Sequence, residues 1–306
     1  MSPGASSPTA SPSWRWLLQR PAWSKTSPRF RRAAPACCNA NRPRPPSSSA
    51  CGGTSPACET RSWIMTSPDA SPVEPQDAVG AATLDRLAAA PRYNRWMFAR
   101  LRPWVGDSVL EIGSGIGNLS TFLLDRRRVV LTDTEPAYLE RLRTRFGGQA
   151  NVEVTRLYLP TVDGALAARR FDTVICLNVL EHVADDRSSL AAMARLLAPG
   201  GRLVLLVPAL AWLYGSLDVA LGHHRRYTRR GLIERLRDAG LRMRHVEYFN
   251  LAGLPGWWLA GRVLRRRLIP AGSLRLYDAL VPLFRLERLL PWRVGQSLIA
   301  IGEVAG

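Results

Sequence analysis

The chain has 306 residues, of which 46% are hydrophobic, so it can bury the core of one large domain or two small ones. Its formal net charge is +18 at pH 7, but residues 1–64 contribute +8 of this, and Lys25 is the one lysine among 42 basic residues, a bias typical of GC-rich coding. The two longest uncharged apolar stretches, 203–217 and 249–261, are shorter than the roughly 18 residues that cross a bilayer, so no membrane-spanning helix is predicted.

The first 64 residues are rich in Ser, Pro, Ala and Arg and show no apolar periodicity. Such a segment cannot bury enough apolar surface to offset the entropy lost when it is ordered. We therefore expect residues 1–64 to form a disordered low-complexity tail, followed by a flexible lead-in at residues 65–80. The alternative that the native protein begins at Met65 stays open at this point.

Four of the five cysteines lie in this tail, at Cys37, Cys38, Cys51 and Cys58, whereas Cys176 lies in an apparent buried strand. No disulfide framework follows from this distribution. A zinc site made by the tail cysteines is disfavoured because no histidine pairs with them. The expected setting is the reducing cytoplasm, with a peripheral position at the inner face of the membrane as an open alternative.

Residues 81–306 alternate between predicted helices and predicted strands. Helical spacing before the first strand, interrupted at Pro91, predicts two short helices. Asp185 or Asp186 can cap one later helix, and Thr228 can cap another. Several strands are apolar on both faces, which indicates one α/β domain with a parallel sheet covered on both sides. The predicted strands are 108–112, 129–132, 152–155, 173–177, 202–207, 243–249 and 296–304.

Residues 250–294 separate the sixth and seventh predicted strands and read as a helical insertion with a wide apolar face. Tryptophans and leucines are interleaved there with arginines. One interpretation is a hydrophobic cover packed on the sheet. The other is a contact with a membrane surface or with a lipid substrate.

The glycine-rich loop Glu111–Gly117 directly follows the first predicted strand. Because glycine has no Cβ, backbone amides of such a loop, at a helix N-terminus, can come close to a ligand. Asp133 lies 20 residues after Gly113, at the end of the second strand, where a carboxylate can accept ribose hydroxyls. Loop and acid together predict a nucleotide or nucleoside site. A dinucleotide is disfavoured, since its fingerprint needs glycine or alanine where this chain has Asn118.

Four segments in chain order resemble the successive motifs of class I S-adenosylmethionine-dependent methyltransferases: VLEIGSGIGNL, LTDTEPAYLERL, FDTVICLNVLEHVADD and LAPGGRLVLLVPA. The resemblance covers roughly residues 89–304 and is in particular to the bacterial small-molecule branch with a VLEH element after the fourth strand. It implies a Rossmann-like, doubly wound, mostly parallel seven-stranded sheet with an antiparallel last strand. It also implies methyl transfer from S-adenosylmethionine to a small-molecule acceptor, which the insertion suggests is lipid-linked or sugar-bearing.

Carried over by position, the resemblance also implies which residues bind the cofactor. The loop would hold the methionine moiety, Glu111 would orient its ammonium through the loop, and Asp133 would take the ribose. The implied set is Glu111, Gly113, Ser114, Gly115, Gly117, Asp133, Thr134, Tyr158, Asn178 and Val179. Tyr158 departs from the family pattern, in which an acid often accepts the adenine amino group. The tyrosine hydroxyl or the backbone would accept it here.

The candidate catalytic residues follow the fifth strand, on the edge where ligands enter open α/β sheets. A hydroxyl acceptor needs a base, because a neutral hydroxyl is a weak nucleophile. We assign that role to His223 or His224, with Asp218 upstream as a further catalytic candidate.

The residues predicted to bind the acceptor are Arg225, Arg226, Tyr227 and His182. Two arginines and a tyrosine suit a phosphate, a carboxylate or a sugar. The alternatives are a solvated helix cap for the first three residues and a local structural role for His182.

A divalent ion is considered for the VLEH element because Glu181 and His182 are both metal-ligand types. Asn178 stands where a third hard ligand would be wanted. We therefore expect no metal at this site.

Two other functions remain as alternatives. The high pI of about 11.1 would suit a nucleic-acid methyltransferase, but base amino-group methylation usually relies on an Asn/Asp-Pro-Pro-aromatic turn, where this chain has Leu177-Asn178-Val179-Leu180. The second alternative function is a non-catalytic module that binds the cofactor or a membrane surface. The expected partners are a small-molecule acceptor and lipid at residues 250–294, with no nucleic acid, and the oligomeric state is left open.

Overall fold

The computed structural model describes residues 75–162, 164–289 and 294–306. All of them belong to one unit, Ser67–Gly306. The predicted tail at residues 1–64 lies outside the described residues, as does the lead-in up to residue 74. The first helix begins at Pro75, inside the predicted lead-in.

Seven strands form one sheet in the order β3-β2-β1-β4-β5-β7-β6, in which β7 runs antiparallel to both neighbours and the other pairs are parallel. The predicted Rossmann-like architecture is confirmed, including the antiparallel last strand. The strands are β1 (Ser108–Ile112), β2 (Arg128–Asp133), β3 (Val152–Arg156), β4 (Phe171–Leu177), β5 (Leu197–Pro208), β6 (Arg242–Phe249) and β7 (Ser297–Glu303). β5 starts five residues before its predicted start because Leu197 pairs with Phe171.

Nine α-helices are present in the described part of the chain. They are α1 (Pro75–Ala88), α2 (Pro91–Leu101), α3 (Pro136–Phe146), α4 (Gly164–Ala167), α5 (Asp186–Arg195), α6 (Ser216–Ala220), α7 (Arg229–Asp238), α8 (Gly253–Trp258) and α9 (Ala271–Phe284). Two predicted caps form hydrogen bonds: Asp185 accepts from the Ser188 amide at the start of α5, and Thr228 accepts from the Gly231 amide at the start of α7. Each such cap satisfies an otherwise unpaired amide of the first helical turn.

The glycine-rich loop leads into a short 3-10 turn, Ser120–Leu123, and not into the α-helix expected after it. Only residues 118–127 connect the loop to β2, and these leave room for little more than one turn. The turn is held by its neighbours, since the Asn118 side chain donates to the Leu84 carbonyl of α1 and Arg145 of α3 donates to the Ile116 carbonyl.

The insertion between β6 and β7 is helical in its described part, as predicted. It contains α8, a π-helical turn at Leu259–Val263, α9 and a 3-10 turn at Arg285–Leu289. Val281 of α9 is buried in the core cluster that also contains Trp96 and Phe249, so part of the insertion covers the sheet. Among the residues that the structure describes, no helix is long and apolar enough to cross a membrane.

Candidate functional site

The loop after β1 has a backbone that favours glycine at two cavity-lining positions. Gly113 and Gly115 have φ values of +71° and +55°, in the left-handed region that L side chains rarely adopt. A Cβ on Gly113 would lie 2.2 Å from the Val179 Cγ2 atom. The loop therefore passes within van der Waals contact of the chain that leaves β4.

The Asp133 carboxylate organises both sides of this loop. Its Oδ2 accepts a 2.8 Å hydrogen bond from the Gly115 amide. Its Oδ1 accepts from the amides of Thr134 and Glu135, at 2.8 and 3.0 Å. Each carboxylate oxygen has further lone pairs, so the group can still accept hydrogen bonds from a ligand.

Glu111 lies at the base of the loop, where its carboxylate is buried and accepts a hydrogen bond from the Ser120 hydroxyl. Burial raises the pKa of Glu111 to about 7, because the charged form loses its hydration, while the hydrogen bond from Ser120 acts in the opposite direction. A cationic ligand group nearby would favour the ionised form.

A cavity of about 1390 Å³ extends from this loop across the carboxyl ends of the strands to the insertion. It brings together most of the site residues predicted from the sequence. Those that line it are Glu111, Gly113, Ser114, Gly115, Asp133, Thr134, Tyr158, Asn178, Val179, His182, His223, His224 and Arg226.

Four predicted site residues are not part of the cavity wall. Gly117 instead makes room for α3, since a Cβ there would lie 2.5 Å from the Phe146 ring. Asp218 lies behind His223. The other two, Arg225 and Tyr227, contact Asp186: the Arg225 guanidinium lies 3.0 Å from its carboxylate, and the Tyr227 hydroxyl donates to it at 3.1 Å. These two polar groups therefore join the loop before α7 to the start of α5.

Asp218 has no exposed surface, and several donors converge on its carboxylate. His223 Nδ1 lies 2.9 Å from Oδ1, and Arg226 Nε donates to the same atom at 2.7 Å. The indole of Trp257 donates to Oδ2 at 3.3 Å. Burial raises the pKa of Asp218, but the hydrogen bond from His223 and the charge of Arg226 outweigh it, so the pKa lies below its ordinary value. The ionised Asp218 thus fixes the His223 ring and leaves its Nε2 turned away from it.

Glu181 lies beside this pair. Its side chain has no exposed surface, and neither carboxylate oxygen has a hydrogen-bond partner in the part of the chain that the structure describes. Burial raises the pKa of Glu181 to about 8. His223 Nε2 lies 4.0 Å from Glu181 Oε1.

His182 completes the group, with its ring edge-on to that of His223 at a centroid distance of 4.7 Å. Burial, followed by the nearby His223 and His224, lowers the pKa of His182 to about 4. Potential ligand atoms of Glu181, His182 and His223 all lie within 4.8 Å of one another. In the sequence, Asn178 stands where a third hard ligand would be wanted, and the fold brings His223, from the segment after β5, beside Glu181 and His182.

The sequence did not identify the polar residues that the insertion and its flanks bring to the cavity. These are Asn250, Trp257, Tyr277 and Gln296. Tyr277 donates to the Asn250 side chain, which in turn donates to Gln296 at 3.0 Å. Asn250 has a φ of +66°, a conformation that asparagine tolerates better than most residues, but nothing in the sequence marks it as left-handed.

Two aromatic residues of α2 occupy different environments. Tyr93 lines the cavity, and burial raises its pKa to about 12. Trp96 is buried and packs on Phe249 with 4.6 Å between ring centroids. Trp96 is therefore part of the core.

Comparison with known proteins gives the family. A family model described as a methyltransferase domain matches residues 110–203. The chain is 32% identical over 178 residues to a demethylmenaquinone methyltransferase of Deinococcus radiodurans, a match that covers 50% of this chain and 72% of that protein. The chain belongs to the class I S-adenosylmethionine-dependent methyltransferases. It is an enzyme, and its cofactor is S-adenosylmethionine.

Other matches to this methyltransferase cover less of the relative. It is 34% identical over 169 residues to a 37.1 kDa protein in transposon TN4556 of Streptomyces fradiae, with 50% of this chain and 48% of that protein covered. It is 36% identical over 104 residues to a ubiquinone biosynthesis O-methyltransferase of Xanthomonas oryzae pv. oryzae, with 33% and 42% covered. The chain thus spans about half the length of these two relatives.

Among solved structures, the fold is similar to a chain of the complex between the Haloferax volcanii Trm112 methyltransferase activator and its methyltransferase. The TM-score is 0.52 at 18% identity, with 76% of this chain and 98% of that chain covered. At this level of identity the similarity concerns the fold.

Proposed function

We propose that this methyltransferase methylates a small-molecule acceptor with a long apolar portion, and that the acceptor enters the cavity from the exposed face of the insertion. One observation carries the proposal. The cavity lined by the glycine-rich loop is also lined by Leu259 and Leu264, which are about half exposed on the surface of the insertion. The cavity therefore extends from the cofactor end to apolar side chains that are exposed on the surface.

The cofactor end fits S-adenosylmethionine through groups already arranged for it. Gly113 and Gly115 line the cavity, and we propose that the loop backbone shaped by their positive φ values holds the methionine moiety. We propose that Glu111 stabilises its ammonium and that the Asp133 carboxylate, which accepts hydrogen bonds from three amides, also accepts the ribose hydroxyls. When bound, the cofactor supplies a methyl group on a sulfonium, whose positive charge is lost on transfer.

The remaining proposed cofactor contacts surround these groups. They are Ser114, Thr134, Tyr158, Asn178 and Val179, all of which line the cavity. Tyr158 is 51% exposed, so its hydroxyl can reach the edge of a bound adenine without desolvation of a buried group.

The acceptor end contains two histidines, and we propose that one of them receives the proton of the acceptor. Both His223 and His224 line the cavity. We propose Asp218 as a positioning residue for His223, since its carboxylate contacts the His223 ring from behind the cavity wall. Arg226 also lines the cavity, but its Nε and Nη1 donate to Asp218 and to the Ala209 carbonyl, so we assign it to the support of this wall.

The outer face of the insertion supports a peripheral contact with an anionic membrane surface. Leu276, Leu283, Leu286 and Leu289 are more than half exposed. The same insertion carries seven exposed arginines: Arg262, Arg265, Arg266, Arg267, Arg275, Arg285 and Arg288. Apolar side chains beside arginines suit the interface of an anionic bilayer. The names of two relatives, a demethylmenaquinone methyltransferase and a ubiquinone biosynthesis O-methyltransferase, agree with a lipid-like acceptor.

The test is transfer of label from S-adenosylmethionine, isotopically labelled in its methyl group, to fractionated cell extracts. We expect label in a compound of the lipid-soluble fraction, and loss of that label with Asp133→Ala. Label confined to water-soluble sugars, to protein or to nucleic acid would contradict the proposal.

The membrane contact is tested separately by co-sedimentation of the full chain with vesicles. We expect binding to vesicles that contain phosphatidylglycerol, weaker binding to phosphatidylcholine, and a loss of binding with Leu283→Ser plus Leu286→Ser. Arg230→Ser, on the exposed surface of α7, serves as the control. Equal binding of the two variants would show that the insertion is not the contact.

A further inference from the structure

We infer that Glu181, His182 and His223 form a binding site for a divalent transition-metal cation, with zinc-type ligand chemistry, at the acceptor end of the cavity. The inference rests on the proposed function, because all three residues line the same cavity as the glycine-rich loop. It differs from the sequence-based expectation of no metal at this site. That expectation rested on the residues of the VLEH element and Asn178, and did not include His223 from the segment after β5.

The Glu181 carboxylate is the first reason. It is buried, it lines the cavity, and no other described residue donates a hydrogen bond to either oxygen, although the charge of Arg226 acts on it. A buried carboxylate without a partner is costly, and native proteins rarely leave one unexplained. A cation on the cavity side would supply the missing partner.

The arrangement of the two imidazoles is the second reason. One carboxylate and two histidines lie with potential ligand atoms within 4.8 Å of one another. Atoms bound at about 2.1 Å to a common ion lie about 3 to 3.5 Å apart, so a small contraction closes the site. His182 lines the cavity beside the other two, with its ring centroid 4.7 Å from that of His223.

Asp218 supplies the third reason. It contacts Nδ1 of His223 at 2.9 Å, which leaves Nε2 as the atom that faces Glu181. A carboxylate behind a histidine in this way fixes the tautomer and strengthens the imidazole as a ligand. Two nitrogens and one oxygen suit zinc or a similar cation better than magnesium, which prefers oxygen ligands.

Three protein ligands leave a position open for the acceptor. A hydroxyl oxygen bound there would have a lowered pKa and would lose its proton to the neighbouring His224. The oxygen then forms a bond to the methyl carbon while the carbon–sulfur bond of the sulfonium breaks, and the electron pair of that bond stays on sulfur. Within the histidine pair, His223 is thus a ligand and His224 the proton acceptor.

The test is titration of the chelator-treated full chain with Co²⁺, followed by absorption spectroscopy. Cobalt distinguishes nitrogen and oxygen ligands from thiolates, and a thiolate signal would reveal binding by the cysteines of residues 1–64. We expect one saturable site without thiolate bands, and no competition by Mg²⁺ at equal concentration. No saturable binding, or binding with thiolate bands alone, would overturn the inference.

Variants locate the site. We expect Glu181→Gln and His182→Ala each to weaken Co²⁺ binding by about 100-fold, with His245→Ala as the control. His245 lies on β6 and stacks on Trp104, outside the cavity wall. Because His182 is less buried than Glu181, its replacement keeps the test valid if Glu181→Gln fails to fold. Unchanged binding in His182→Ala would contradict the assignment.

Activity separates this inference from the proposed function. Methyl transfer that survives removal of the cation would overturn its role in activating the acceptor and leave the proposed function intact. Saturable binding at these three residues without methyl transfer to any lipid-soluble compound would support the metal site and contradict the proposed function.

Discussion

The Asp133 carboxylate accepts a 2.8 Å hydrogen bond from the Gly115 amide, and this contact joins the end of β2 to the loop that follows β1. The two neighbouring parallel strands end at the same edge of the sheet, so the acid and the loop meet although 18 residues separate them. The contact gives Asp133 two roles, one in the shape of the loop and one toward the cofactor.

Replacement of Asp133 should therefore weaken cofactor binding strongly. We expect Asp133→Ala to reduce the affinity for S-adenosylmethionine by at least tenfold, about 1.4 kcal/mol, by isothermal titration calorimetry. Asp125→Ala is the control, because its side chain is half exposed and forms ion pairs with surface arginines. Equal affinities in the two variants would remove Asp133 from the cofactor site.

Gly113→Ala should lower the free energy of unfolding by more than the strain of its positive φ alone would do. Gly113→Ala meets Val179 Cγ2 at 2.2 Å and also has to adopt a φ of +71°. Gly200→Ala is a matched control, since its φ is +72° and nothing lies within 4 Å of its added Cβ. We expect a loss of about 1 kcal/mol for Gly200→Ala and a further 1–3 kcal/mol, roughly, for Gly113→Ala.

Denaturant unfolding of both variants measures this difference. If the two losses were the same, the contact between the loop and Val179 would contribute nothing, and the positive φ would account for the whole effect.

The site residues that could be predicted from the sequence are those at the ends of strands that neighbour each other in the sheet. Asp133 and the glycines of the loop occupy the ends of adjacent strands, so strand prediction alone brings them together. Gly117 shows the limit of this reasoning. The sequence presents it as a third loop glycine, but its neighbour is the Phe146 ring of α3, whose angle to the sheet no local pattern specifies.

The acceptor end was predictable only in part for the same reason. The segment after β5 marks His223 and Asp218 through its composition, but their contact with Glu181 depends on how this segment returns over β4. Asn250 lies at the start of the insertion and Tyr277 lies 27 residues later, in α9, and they meet through packing over this stretch of chain. Long-range contacts of this kind leave no periodicity in the sequence.

Removal of the His223 side chain should affect turnover and not cofactor binding. We expect His223→Ala to lower kcat by about 100-fold or more, because either proton transfer or cation binding is lost at the acceptor end. The affinity for S-adenosylmethionine should stay within about twofold of the parent, and His245→Ala should match the parent in both respects. A large loss of cofactor affinity in His223→Ala would show that this histidine supports cofactor binding, and would contradict its role toward the acceptor.

The buried Glu111 should make stability depend on pH in a predictable direction. Its carboxyl keeps its proton in the folded protein up to a pKa of about 7, whereas the unfolded chain loses it near the ordinary value of 4.5. Between these values the folded state binds more protons, so the stabilisation present below about pH 4.5 is lost as pH rises through about 7.

Glu111→Gln cannot ionise and should lack this loss. Relative to the parent, its free energy of unfolding should rise by about 3 kcal/mol from about pH 4 to about pH 8, measured by denaturant unfolding without cofactor. Glu140→Gln, an exposed position on α3, should follow the parent curve at every pH. Parallel curves for Glu111→Gln and the parent would mean that Glu111 ionises as easily in the folded protein as in the unfolded chain. Its burial at the base of the loop would then impose no electrostatic cost for the cofactor ammonium to offset.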